Sequence, residues 1–323
     1  MADMDMAEIV ISSLPVETRC PPFPLRQYGG FWIAEPMLLG LAAASARFQP
    51  RPSDVFLASF LKSGTTWLKA LAFATLNRAE HPPRSPGHPL RHRNPHDCVD
   101  FLEMAFARSN DDAFGGLPSP RLLATHIPYT LLPARVAAAE GGGRIVYICR
   151  DPKDALVSMW LFTKKKLEAE ASSPAPPYTI EDAFELFCDG RAICGPQWRH
   201  VAGYWEASQR MPEKVLFLRY EEMLREPVDK VRKLAEFMGC AFSDEEVATG
   251  VVKDIVDLCS IDALKNMEVN KTGSQMYVKN ETFFRKGVAG DWSNHMTAAM
   301  AERLDKIVEE ALQGSGFTFS ESA

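Results

Sequence analysis

Residues 54–76 read DVFLASFLKSGTTWLKALAFATL. The run VFLASF at 55–60 is short, apolar and rich in β-branched and aromatic residues, which marks a buried strand. The segment 65–77 that follows has the residues of a helix. Lys62, Ser63, Gly64, Thr65 and Thr66 therefore stand at a turn from a strand into a helix N-terminus. Backbone N–H groups point outward there, and the helix dipole favours an anion. Gly64 lets the backbone approach closely, the two Thr add hydroxyl donors and Lys62 adds charge. The turn is P-loop-like but departs from GxxxxGK[ST], because the Lys precedes the Gly and no upstream Gly completes the cradle. The plain alternative is a capped helix with an incidental Lys.

Three further runs, 121–126, 144–150 and 215–220, have the same strand character. Helical patterns at 153–166, 181–210 and 221–238 lie between and after them. Nearly continuous apolar strands alternating with helices predict one α/β domain, its central, mainly parallel sheet flanked by helices. Ligands of such sheets bind at the carboxyl ends of the strands. Lys62 to Thr66, His126, Arg150 and Tyr220 all fall at that edge.

Two more stretches carry anion chemistry. In RDPKDALVS (150–158), Arg150 ends a strand, Pro152 suits a first helical turn and Ser158 lies eight residues on. Arg and Ser so placed can clamp a phosphate, the Arg in bidentate fashion; a salt bridge from Arg150 to a carboxylate is the alternative. In FFRKGVAGDW (283–292), Arg285 and Lys286 precede Gly287, whose N–H a loop can expose, and a surface turn is the alternative.

Together, KSGTTW, RDPKDALVS and RKGVAGDW resemble the cytosolic sulfotransferase family, in its plant branch, from about residue 30 to the C-terminus. The resemblance implies the donor 3′-phosphoadenosine 5′-phosphosulfate and no metal. It implies that Lys62, Ser63, Gly64, Thr65 and Thr66 hold the 5′-phosphosulfate and that Trp67 stacks on the adenine. It assigns Arg150, Ser158, Arg285, Lys286 and Gly287 to the 3′-phosphate and its surroundings. It puts Tyr220 and the segment Cys259, Ser260, Ile261 near the adenine. His126, in the context THIP, matches the family's catalytic histidine, and a histidine suits a general base for a hydroxyl. Lys62 would stabilise charge on the leaving nucleotide. Three departures stand out: Leu61 replaces a usual Pro, Ala124 replaces a Lys common in animal relatives, and Ser293 and Ala298 interrupt the segment resembling a dimer motif. A monomer or weak homodimer is expected.

Bulk features agree with a globular enzyme. The 323 residues are 46% hydrophobic, with a net charge of −6 and no basic stripe, which argues against nucleic acid. No apolar run is long enough to span a bilayer. The start carries no secretory pattern, and seven scattered Cys without CxxC pairs suggest reduced thiols, so a cytoplasmic protein is expected. Residues 1–25 read as a flexible N-terminal segment and 26–323 as the sulfotransferase domain. The Pro-rich stretches 80–97 and 169–178 read as loops, with His81, His88, His92 and His96 as surface or acceptor-side residues. YGGFWI (28–33), NPHDCVDFLE (94–103) and Phe106 suggest an aromatic mouth for a small hydroxylated metabolite: a flavonoid, brassinosteroid, hydroxyjasmonate or other phenolic or alcohol. Two alternatives remain open, a catalytically inactive nucleotide-binding relative and a P-loop small-molecule kinase. The kinase lacks both a full Walker loop and an evident acidic Mg²⁺ ligand.

Overall fold

The computed structural model describes residues 10–108, 113–170, 177–275 and 278–319. Its centre is a four-stranded sheet of β4 (Val55–Ser59), β5 (Leu122–Thr125), β6 (Arg144–Cys149) and β7 (Val215–Arg219). The spatial order is β5-β4-β6-β7, and all three pairings are parallel. Every residue of β4 and β5 is buried, as a sheet covered on both faces requires. The single α/β domain with a parallel sheet is thus the architecture found. One core cluster lies on each face of that sheet, with Phe56 and Tyr147 in one and Leu57 and Val146 in the other.

Helices cover both faces. Helix α1 spans Glu35–Arg47 and α2 spans Thr65–Leu76, followed by the short α3 (Pro95–Cys98) and α4 (Leu102–Arg108). The long α5 spans Pro152–Glu170, and Ala298–Leu312 forms the last helix. The pattern 181–210 is not one helix but two, α6 (Ile180–Cys188) and α7 (Gln197–Arg210). The break has a use: Trp32 N–H donates to Gly195 O at 2.9 Å and Cys194 N–H donates to Trp32 O at 2.6 Å. The pattern 221–238 likewise divides into α8 (Tyr220–Arg225) and α9 (Pro227–Met238), because Pro227 has no N–H to continue the ladder.

The described part of the N-terminal segment, from Val10 on, includes strand pairing. Val16–Glu17 (β1) pairs with Leu25–Tyr28 (β2), which pairs with Phe31–Ala34 (β3), all antiparallel. A boundary at residue 26 therefore cuts a sheet, and the segment from Val10 to Leu25 packs on the body through buried Ile11 and Cys20. Buried Glu17 accepts from Arg19 and Arg191, which hold its carboxyl down at about 2. Of the Pro-rich stretch 169–178, residues 171–176 lie outside the described residues. The seven cysteines are free thiols, five buried and two half-buried. Among the described residues no helix is long and apolar enough to cross a membrane.

Candidate active site

The site is built at the carboxyl edge of the parallel sheet. After β4 the chain turns through Lys62 at φ 64° and Gly64 at φ 105° and enters α2 at Thr65. Both residues take the left-handed conformation, and for Lys62 that is unfavourable backbone held by its surroundings. Gly64 is required here for a second reason: a Cβ would lie 2.8 Å from Tyr220 Cδ2. The first N–H groups of α2 have no intrahelical acceptors and face the turn. Ser63 Oγ is buried and has no hydrogen-bond partner. Thr65 Oγ1 is tied to Ser59 Oγ at 2.6 Å, whereas Thr66 Oγ1 lies 3.0 Å from His96 Nε2. The loop thus keeps an orphaned hydroxyl and unspent donors around a tight turn, which fits an oxyanion.

Positive charge converges on the loop. Lys62 Nζ lies 4.0 Å from the centre of the Phe162 ring. Burial, then the neighbouring Arg150 and Arg285 charges, pull its ammonium down to about 7. Arg150, buried at the end of β6, donates to Lys62 O at 3.3 Å and to Val288 O at 2.8 Å, and its Nε has no partner. Its nearest carboxylate, Asp154, is 3.6 Å away. Asp154 is occupied elsewhere, accepting from Gly290 N at 2.7 Å and Trp292 N at 3.0 Å. Those two bonds pin the loop of residues 285–292 against α5. Arg285 and Lys286 both ion-pair with Asp291, which holds that carboxyl far below its usual range. Gly287, at φ 67°, packs so closely that a Cβ would sit 2.8 Å from Ile261 Cβ.

Of the other expected residues, Trp67 and Tyr220 touch this centre. Trp67 and Tyr220 meet edge to face at 5.5 Å, and the Arg150 guanidinium lies 4.6 Å over the Tyr220 ring. Ser158 is buried on α5. Cys259 is fully buried, and Ser260 caps the helix Ile261–Asn266, accepting from Ala263 N at 3.2 Å.

His126 leaves β5 beside the loop. Its Nδ1 lies 2.8 Å from Ser59 O, a carbonyl that can only accept, so Nδ1 carries the proton and Nε2 holds the lone pair. Its backbone N–H donates to Glu103 Oε1 at 2.8 Å, and its carbonyl accepts from His200 Nε2 at 3.0 Å. Burial pulls the His126 imidazole down to about 3, with Lys69, His200 and Lys62 adding to the effect and the Ser59 contact opposing it. The ring is therefore neutral at physiological pH.

Several residues of the site went unread in the sequence. The four histidines of the stretch 80–97 divide: only His92 is exposed, and His96 lines the cleft beside Phe101. His88 is completely buried, its Nδ1 accepting from Leu90 N at 3.2 Å. His96 stands between Phe101 and Phe283, with ring centres 5.6 and 4.5 Å away, and touches the loop itself. Lys69, Glu103 and His200 have no motif of their own, although Lys69 follows Thr66 by one turn of α2. Phe106 does not reach the mouth; it packs in the core with Phe48 and Phe114. A cleft of about 190 Å³ opens beside His96 and Phe101, rimmed by Asp97, Asp100, Arg108 and Gln275. Among the described residues no group of three or more His, Cys, Asp or Glu is arranged to hold a metal ion.

Comparison with known proteins fits this geometry. Residues 52–316 match the family described as Sulfotransferase domain. Cytosolic sulfotransferase 12 of Arabidopsis thaliana is 42% identical, with 99% of this chain and 97% of that protein aligned. Cytosolic sulfotransferase 17 of the same plant is 43% identical, over 97% and 90% of the two chains. A crystal structure of an Arabidopsis thaliana sulphotransferase superposes with a TM-score of 0.76 at 37% identity, covering 98% of each chain. A mouse sulfotransferase solved with PAP superposes at 0.65 with 26% identity, over 90% and 95%.

Proposed function

The chain belongs to the plant cytosolic sulfotransferase family, and from that premise we propose that it moves a sulfuryl group from 3′-phosphoadenosine 5′-phosphosulfate to a hydroxyl of a small organic acceptor, with His126 as general base. The observation that carries the reading is the His126 tautomer. Because Nδ1–H is spent on Ser59 O, the basic Nε2 is left to take a hydroxyl proton. His200 and Glu103 hold the backbone on either side of that ring.

Position supports the remaining roles. The residues 62–66 hold the phosphosulfate through the N–H groups of α2, the Ser63 hydroxyl and the Lys62 charge. Lys62 is the cation carried on the loop itself, which makes it the one to stabilise charge on the departing nucleotide. Arg150, Ser158 and Arg285 to Gly287 serve the 3′-phosphate, while Trp67, Tyr220 and Cys259 to Ile261 border the adenine. That a PAP-bound neighbour shares the fold supports this donor. On the acceptor side, the aromatic Phe101 lies 4.6 Å from His126, and the cleft beyond it has a charged rim. That suits a flat hydroxylated molecule carrying polar substituents. The relatives named cytosolic support a place in the cytosol.

The test is an acceptor screen with labelled phosphosulfate donor over phenolics, flavonoids, steroids and hydroxylated jasmonates, run beside His126→Ala. Labelled product from the wild type, falling by roughly 10²–10⁴-fold in the variant while adenosine 3′,5′-bisphosphate still binds, is the expected result. Near-wild-type rates in the variant would remove His126 from the role of base.

A further inference from the structure

Among the buried cations that the mechanism above leaves unused, Lys69 stands beside the phosphosulfate loop. Lys69 is fully buried on α2, one turn beyond Thr66. Its Nζ lies 3.0 Å from His96 Nδ1 and 3.3 Å from the centre of the Phe101 ring. The other nitrogen of His96, Nε2, lies 3.0 Å from Thr66 Oγ1. One imidazole thus bridges an ammonium and a hydroxyl of the phosphosulfate loop.

The order of donors in this chain can be worked out. An ammonium has only protons to give. Lys69 therefore donates, His96 Nδ1 accepts, and the neutral ring carries its proton on Nε2. Burial first, and then the ammonium groups of Lys69 and Lys62, hold His96 neutral. Nε2–H must then donate to Thr66 Oγ1. With that oxygen already accepting, the Thr66 proton is left to point away from His96, into the turn. The ring face against Phe101 suits an ammonium rather than an amine. Burial draws Lys69 down to about 7, while the carboxylates of Asp100 and Glu103 oppose the loss of charge. The backbone of His96 is itself fixed: its main-chain N–H donates to Asn94 Oδ1 at 2.9 Å, and Asn94 Nδ2 donates to Asn270 Oδ1 at 2.8 Å.

We propose that Lys69 and His96 are positioning residues of the transfer step, a relay that makes the Thr66 hydroxyl an obligate donor to the sulfuryl group held in the loop. The buried charge polarises each bond of the relay in the same direction. Positive potential reaches the sulfuryl oxygens without a cation beside them, in addition to Lys62. This inference rests on reading residues 62–66 as the phosphosulfate loop.

The experiment combines nitrogen-detected histidine NMR with kinetics on wild type, Lys69→Met, His96→Gln and His96→Phe. In wild type, His96 is expected as the Nε2–H tautomer, and Lys69→Met should disturb its two nitrogen resonances. Lys69→Met should lower kcat, by less than the roughly 10²–10³-fold that follows loss of a whole oxyanion donor, with unchanged affinity for adenosine 3′,5′-bisphosphate, which has no sulfuryl group. Gln has one acceptor and one donor at the right reach, so His96→Gln should retain most of kcat while His96→Phe loses it. That pair keeps the test alive if Lys69→Met does not fold. An Nδ1–H tautomer in wild type, an unchanged kcat in folded Lys69→Met, or equal losses in the Gln and Phe variants would each overturn the relay. So would a parallel loss of bisphosphate affinity, which would mean mere support of the loop. A wild type that transfers no sulfuryl group would remove the reading beneath the relay, and the tautomer, measured without turnover, tells the two failures apart.

Discussion

Lys62 illustrates how a single residue couples charge to ligand. Its ammonium, drawn down to about 7 by burial and by Arg150 and Arg285, is half neutral near that pH in the free protein. An anion in the loop favours the charged form, so binding takes up a proton above pH 7. Affinity for adenosine 3′,5′-bisphosphate should therefore weaken as pH rises from 7 to 9, by at most about tenfold per unit for one proton. Titration calorimetry in buffers of different ionisation enthalpy would show the uptake, and Lys62→Met should flatten the slope, leaving at most the share of Lys69, which burial also draws down to about 7. A flat affinity across this range would contradict the assignment. At this scale the sequence was readable where a residue sits inside a motif, as Lys62 and His126 do. It was unreadable for His96, whose role depends on α3 folding back onto α2 across a separation of 27 positions from Lys69. No local pattern separates that histidine from His92, which is exposed.

Helices α1 and α4 pack closely together, and Gly40 permits it. A Cβ there would lie 1.7 Å from Glu103 O. Gly40→Ala must push the two helices apart, at a cost of about 1–3 kcal/mol by analogy with overpacked cores. Because Glu103 Oε1 accepts from His126 N at 2.8 Å, the displacement should also reach the base. Denaturant unfolding and turnover on the same sample should both fall; lost stability with intact turnover would show that α4 moves without the histidine. The strands were legible because a sheet buried on both faces leaves continuous apolar runs, and the four found lie within one residue of expectation. The helix breaks were not. Gly190, at φ 70°, and Pro196 interrupt an otherwise continuous helical pattern, and only the pairing of Cys194 and Gly195 with Trp32 decides that the chain stops there.

Across the whole molecule, histidines buried in the neutral form make acid stability a property of the fold. Burial holds His88 and His200 at about 4 and His126 at about 3, all below the unfolded value near 6.5. The unfolded chain takes up protons first, so stability is complete above pH 6.5 and is lost as pH falls from there towards 4. Melting temperature should drop steeply over that interval, and His88→Gln, remote from the catalytic ring, should flatten part of the slope. A constant melting temperature would mean these rings are open to water. The cysteines respond in the opposite sense. Burial raises every one of the seven thiols, Cys20 to about 12 and Cys98 to about 11 among them. Since the thiolate is the reactive form, none of them is a ready nucleophile at neutral pH. A maleimide dye should therefore leave the native protein almost unlabelled. A single engineered thiol at an exposed position such as Val247, 39% accessible, would then be the sole bright attachment point, with no native cysteine removed. The chemistry that keeps the core dry leaves the surface blank for fluorescence.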